Sequence, residues 1–133
     1  MEELQKPKKL KKLPNAQFSI MSAVWASEPP VTANTIIQQY GDKVSLKVQT
    51  ATSLLLRLVE RGFLHIEKDS KEQAYSPIVS REEYLRFETA IFVKRFYNNS
   101  FINLSTIMFD GEAFTDEDIE ELRGLVNRNY QNQ

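Results

Sequence analysis

At 133 residues, 41% of them hydrophobic, the chain is long enough for one globular domain or two small units sharing a core. It contains no cysteine, which excludes disulfides, thiolate metal sites and a cysteine nucleophile and fits the reducing cytosol; no apolar run approaches the roughly 20 residues of a bilayer span. The near-neutral total of −1 hides an asymmetry, since residues 1–77 hold 11 Lys or Arg against 8 Asp or Glu, whereas residues 78–133 hold 6 against 10. A basic half joined to an acidic half is the distribution expected when one half meets a polyanion, although acidic solvated helices alone produce the same split.

Residues 1–13 carry Lys6, Lys8, Lys9, Lys11 and Lys12 around Pro7. With no apolar segment behind it, this stretch reads as a flexible basic tail rather than a secretory signal, either an arm along DNA phosphates or a solubilising extension. Pro14-Asn15 opens a first helix with Asn15 as its expected N-cap, and Phe18, Met21, Val24 and Trp25 repeat at helical spacing as core residues. Glu28-Pro29-Pro30 is expected to end that helix. Thr32 then caps a short second helix with Ala33, Ile36, Ile37 and Tyr40 inward, Gly41 ends it, and Asp42 to Ser45 form a loop.

The stretch LKVQTATSLLLRLVERG, Leu46 to Gly62, organises the rest. Val48, Ala51, Leu54, Leu55, Leu58 and Val59 make one apolar stripe, and Gly62 stops the helix. The other side holds Gln49, Thr50, Thr52, Ser53 and Arg57, with Lys47 near the start. Short hydrogen-bonding side chains of this kind approach base edges in a major groove while flanking Arg and Lys hold phosphates; an ordinary solvated helix is the plainer alternative. Beyond Gly62 the period changes to that of strands, Phe63 to Ile66 and Gln73 to Tyr75, joined by a polar turn bearing Lys68 and Lys71 and closed by Pro77. Three helices and a hairpin make a winged helix-turn-helix, whose third helix enters the groove while the wing reaches the backbone. His65, the only histidine, reads as structural.

Ser80-Arg81-Glu82-Glu83 has capping-box form and opens a second, helical half. The helix behind it carries Tyr84, Leu85, Phe87, Ile91, Phe92, Phe96 and Tyr97, broken by Asn98-Asn99-Ser100. A short apolar helix follows with Phe101, Leu104, Ile107, Met108 and Phe109, then a turn at Asp110-Gly111. Thr115 caps a last helix with Asp116, Glu117 and Asp118 in its first turn and a seam of Ile119, Leu122 and Val126. This half is too small to enclose a core of its own. Its apolar surface therefore packs either on a symmetry mate or back on the N-terminal half of the same chain.

The chain resembles the penicillinase-repressor family of bacterial winged-helix regulators (the BlaI, MecI and CopY type). The likeness rests on Asn15 to Met21 with Val24-Trp25, Val31 to Asn34 with Ile36-Ile37, Leu54 to Val59 with Gly62-Phe63-Leu64, Tyr75-Ser76-Pro77, Arg95 to Asn98, Ser100-Phe101, and Asp118 to Leu122. It implies a dimeric repressor of an inverted-repeat operator. It also implies, in the β-lactam-responsive branch, release by a cut near the start of the dimerisation region downstream of a membrane sensor protease, a junction matching Asn99-Ser100-Phe101. Two departures stand out. Where the family has Trp followed by Ser-Pro-Lys-Thr, this chain has Leu46 followed by Lys47-Val48-Gln49-Thr50, which puts the operator sequence in question. The copper-responsive branch's C-terminal cysteines are absent, which excludes copper sensing by that route.

The expected architecture is mainly α with a small β-hairpin wing, divided into a tail (1–13), a winged helix-turn-helix DNA-binding domain (14–78) and a helical dimerisation domain (79–133). The expected DNA-binding set is Lys47, Gln49, Thr50, Thr52, Ser53, Arg57, Lys68 and Lys71. The expected dimer interface is Phe96, Phe101, Leu104, Ile107, Met108, Ile119, Leu122 and Val126, with Ser100 and Phe101 at the cleavage junction. Partners are double-stranded operator DNA, a second copy and a sensor-protease pathway, with no cofactor, metal or membrane insertion. The competing reading is a winged-helix module that binds protein without sequence-specific DNA contact. An enzyme is disfavoured, because one histidine and four scattered glycines supply neither a Ser-His-Asp set nor a phosphate loop.

Overall fold

The computed structural model describes residues 9–44, 46–67 and 71–131. Its elements are α1 (Asn15–Trp25), β1 (Val31–Thr32), α2 (Ala33–Val44), α3 (Val48–Glu60), β2 (Leu64–Glu67), β3 (Ala74–Pro77), α4 (Arg81–Tyr97), α5 (Phe101–Asp110) and α6 (Asp116–Gln131). The architecture is mainly helical with one small antiparallel sheet, a winged helix-turn-helix followed by further helices. Two compact units divide within α4, one ending at Glu88 and the other starting at Thr89.

The first unit is built around an apolar cluster. Met21 and Val24 from α1, Ile36 from α2, Leu55 and Leu58 from α3, Phe63 and Leu64 at β2, Tyr75 from β3 and Tyr84 from α4 are all buried in it. Burying each such side chain is worth about 1.5–3 kcal/mol, so these residues fix how the three helices sit on the sheet. Phe18 and Trp25 pack half-buried against the same cluster, and the Trp25 indole N–H donates to the Val79 carbonyl at 3.0 Å. Leu13 is buried too and donates its amide to the Tyr84 hydroxyl at 2.7 Å. The stretch expected as a tail thus contributes Leu10 and Leu13 to the packing, while Lys9, Lys11 and Lys12 are exposed; Lys6 and Lys8 lie outside the described residues.

The sheet has three strands where the sequence yields a two-stranded hairpin. Its order is β1-β3-β2, with Val31 opposite Tyr75 on one side and Ile66 opposite Tyr75 on the other. Two residues are too few to show alternation, so β1 has no periodic signature. Thr32 serves both roles, pairing with Ala74 in the sheet and accepting the Thr35 amide at 3.1 Å at the start of α2.

Three local expectations are corrected. Asn15 is the first residue of α1 rather than its cap; Pro14 holds the cap position, where its fixed φ of −58° suits the entry and no side-chain bond is made. α1 ends at Trp25, ahead of the prolines expected to stop it. α2 runs through Gly41 to Val44, where a stop at Gly41 and a loop from Asp42 were expected; a glycine inside a helix costs only about 1 kcal/mol and does not by itself end it.

The second unit contains the end of α4 together with α5 and α6. Asn98 and Asn99 adopt φ of 49° and 64°, left-handed conformations that asparagine tolerates, and so break the chain between α4 and α5. The Ser100 hydroxyl caps α5 by accepting the Asn103 amide at 3.1 Å. Thr115 and Asp118 form a reciprocal capping box on α6, with both bonds at 3.0 Å. Despite this local order, none of the described residues from Thr89 onward is buried.

Candidate nucleic-acid interface

α3 is held by Ala51, Leu55 and Leu58, each fully buried, and it packs against α1, α2 and β2. Gly62, at φ 83°, turns the chain out of this helix into the sheet. With the inner side fixed, 100° per residue sets what faces solvent. Gln49 and Ser53 are exposed within about 40° of each other, and Thr52 is half-buried about 60° to one side of Gln49, at the edge of the same outward stripe. Thr50 and Arg57 are exposed on its flank, and Lys47, extended at the cap position, is exposed just ahead of the helix.

Two apolar residues stand on the same side. Val48, expected in the buried stripe, is 45% exposed, and Leu56 is 38% exposed. Val48 lies in the opening turn, where no earlier turn of α3 shields it. Leu56 lies 100° beyond the buried Leu55, which sequence periodicity does signal once the inner face is known.

On the wing, Lys71 is exposed, whereas Lys68 lies outside the described residues. The Asn34 side-chain amide donates to a Glu72 carboxylate oxygen, tying the start of α2 to the segment leading into β3. Glu67 accepts the Ser76 hydroxyl from β3 at 2.9 Å and lies 3.4 Å from the ring of His65, two residues earlier on its own strand. Among the described residues no cluster of His, Asp or Glu has the makings of a metal site, and no helix is long and apolar enough to cross a membrane.

In the second unit, Phe96, Phe101, Ile107 and Val126 are exposed, and Leu104, Met108, Ile119 and Leu122 are half-buried. A groove there is lined by Met108, Phe114, Leu122 and Leu125. Ser100 is half-buried at the α5 cap and Phe101, the next residue, is 60% exposed.

The penicillinase repressor family matches residues 13–128 of the chain. A penicillinase repressor of Bacillus licheniformis is 24% identical over 119 residues, covering 90% of this chain and 92% of its own length. The methicillin resistance regulatory protein MecI of Staphylococcus aureus is 25% identical over 114 residues, 86% of this chain and 92% of its own. Among solved structures, the DNA binding domain of the repressor BlaI aligns at a TM-score of 0.49 and 23% identity, over 58% of this chain and 93% of that one. The family is made up of transcriptional repressors rather than enzymes. With a match that takes in the core of the first unit, all of α3 and most of α6, the chain belongs to the penicillinase repressor family.

Proposed function

We propose that the chain is a homodimeric repressor that reads an inverted-repeat operator with α3 from each copy. The observation that carries this is the outward stripe of α3, with Gln49 and Ser53 exposed and Thr52 half-buried at its edge, on a helix whose other side is locked into the core. Short amide and hydroxyl groups match the donors and acceptors of base edges, and Thr50 extends that set along the flank. Lys47, Arg57, Lys68 and Lys71 hold phosphates, which positions the stripe without reading sequence. α4 to α6 supply the dimer, through Phe96, Phe101, Leu104, Ile107, Met108, Ile119, Leu122 and Val126, and two linked reading helices bind with the avidity of paired half-sites.

Binding of promoter DNA from upstream of its own gene, against scrambled DNA over a salt series, tests the reading. Tight, selective binding that falls steeply with salt is expected. Gln49→Ala loses about 1–3 kcal/mol on promoter DNA and little on scrambled DNA. Equal losses on both overturn base reading by Gln49, and binding indifferent to salt points to a protein partner instead.

Release is proposed to follow a cut at Ser100-Phe101. The left-handed Asn98-Asn99 pair precedes this junction and Phe101 is exposed, so cutting there severs α5 and α6 from the reading domain. Fragment masses from cells carrying the sensor pathway, taken under induction, are expected to map to this bond; an intact chain rejects the cut.

A further inference from the structure

A Leu or Val alone on a surface is ordinary. Val48 and Leu56 are not placed at random, however. They bracket Gln49, Thr52 and Ser53 in the spacing i, i+1, i+4, i+5, i+8, which at 100° per residue spans one outward stripe of α3. Within the run Leu54-Leu55-Leu56, Leu55 is fully buried while Leu56 is 38% exposed, and Val48 at the start of the helix is 45% exposed. The stripe is therefore mixed, apolar at both ends and hydrogen-bonding in the middle. A groove surface matching it needs apolar groups at two places. The major groove has one such group, the C5-methyl of thymine; next to any other base edge these side chains would cover a donor or acceptor without pairing it.

We infer that Val48 and Leu56 read thymine C5-methyl groups and are specificity-determining residues of the DNA interface. The two side chains start about 12 Å apart along the helix axis, so they meet different base pairs on either side of those contacted by Gln49 and Ser53. This inference rests on the proposed entry of α3 into the major groove. It adds which bases flank the polar contacts and which side chains select them.

The test uses the full chain and the duplex it enriches from a randomised DNA pool, prepared with thymine or with uracil, which pairs identically and lacks only the methyl. Wild type is expected to bind the thymine duplex at least fourfold more tightly, about the effect of one buried methyl. Leu56→Ala and Val48→Ala each shrink that ratio at least twofold. The double variant brings it close to one, whatever its absolute affinity for either duplex. A scrambled duplex in both forms corrects for any general effect of uracil on DNA shape. Equal wild-type affinity for the thymine and uracil forms of an enriched duplex overturns the inference and leaves the repressor reading standing. An unchanged ratio in both single variants overturns the assignment to these residues. If no duplex is enriched at all, the DNA-binding reading fails and this inference with it.

Discussion

The two units of this chain spend similar residues in opposite ways. In the first, large aromatics are enclosed: Tyr84 is fully buried with the rings of Phe18, Trp25, Phe63 and Phe87 all within 5.9 Å of its own. In the second, the ring centroids of Phe92 and Phe96 lie 5.1 Å apart and those of Phe109 and Phe114 4.6 Å, yet Phe92, Phe96 and Phe109 are exposed and Phe114 is only half-buried. α5 makes the contrast sharpest. Phe101, Leu104, Ile107 and Met108 share one side of it, and Ile102 and Phe109 widen that side past half the circumference, leaving Asn103, Thr106 and Asp110 opposite; so wide an apolar face belongs to a helix that is packed against something. The first unit is therefore stable by its own packing, whereas the second is a surface shaped for burial. That is the physical ground for placing a second copy there.

The largest expected effect comes from breaking that surface. Ile107→Glu replaces an exposed apolar side chain with a charge that no interface core accommodates unpaired. Sedimentation is expected to show a monomer, and affinity for the paired promoter site to drop by about 10²–10⁴ as avidity is lost. Affinity for a single half-site and the melting of the first unit stay as in wild type. A chain that remains dimeric after this change places the dimer contact elsewhere.

A second pair of substitutions tests the first unit with neighbouring residues. Leu55→Ala opens a cavity under α3 and is expected to lower stability by about 2–5 kcal/mol in denaturant titration. Leu56→Ala, one residue on and outward, is expected to change it by no more than about 0.5 kcal/mol. Similar losses at both would mean that α3 is not rotated as described, and the reading stripe would have to be redrawn.

Much of this contrast is legible in the sequence, for reasons that differ by element. α3, the hairpin and the Thr115 cap announce themselves through periodicity and local bonding, which need no knowledge of the partner element. Within the Leu54 to Leu56 run the same spacing puts Leu54 and Leu55 inward and leaves Leu56 out, as the structure has them; it errs at Val48, which the opening turn leaves exposed. β1 is too short for any pattern. In α4, Tyr84, Phe87, Phe92 and Phe96 read as one aromatic run. Only the structure separates the first two, packed into the core of the first unit, from the last two, left exposed. Of the candidate interface, the polar face is visible from residue types, whereas the exposure of Val48, which spacing assigns to the inner stripe, is visible only in the structure.

The subtlest expectation concerns Tyr84, where the segment preceding α1 joins the core. Its hydroxyl accepts the Leu13 amide, and Tyr84→Phe keeps the ring contacts while leaving that buried N–H without its partner, at a cost of about 1–3 kcal/mol. The same hydroxyl gives an independent alkaline signature. Burial is the main cause that pushes the Tyr84 pKa from its ordinary value of 10.0 up to about 12. Because the unfolded chain sheds this proton first, its contribution is intact below pH 10 and is lost as the pH climbs towards 12. Wild type is therefore expected to lose stability across that window, and Tyr84→Phe to lose less. Some slope persists in the variant, since burial also raises the pKa of Tyr75. Identical alkaline slopes for the two proteins would mean that the Tyr84 hydroxyl is not held in the core, and that Leu13 is not fixed there by it.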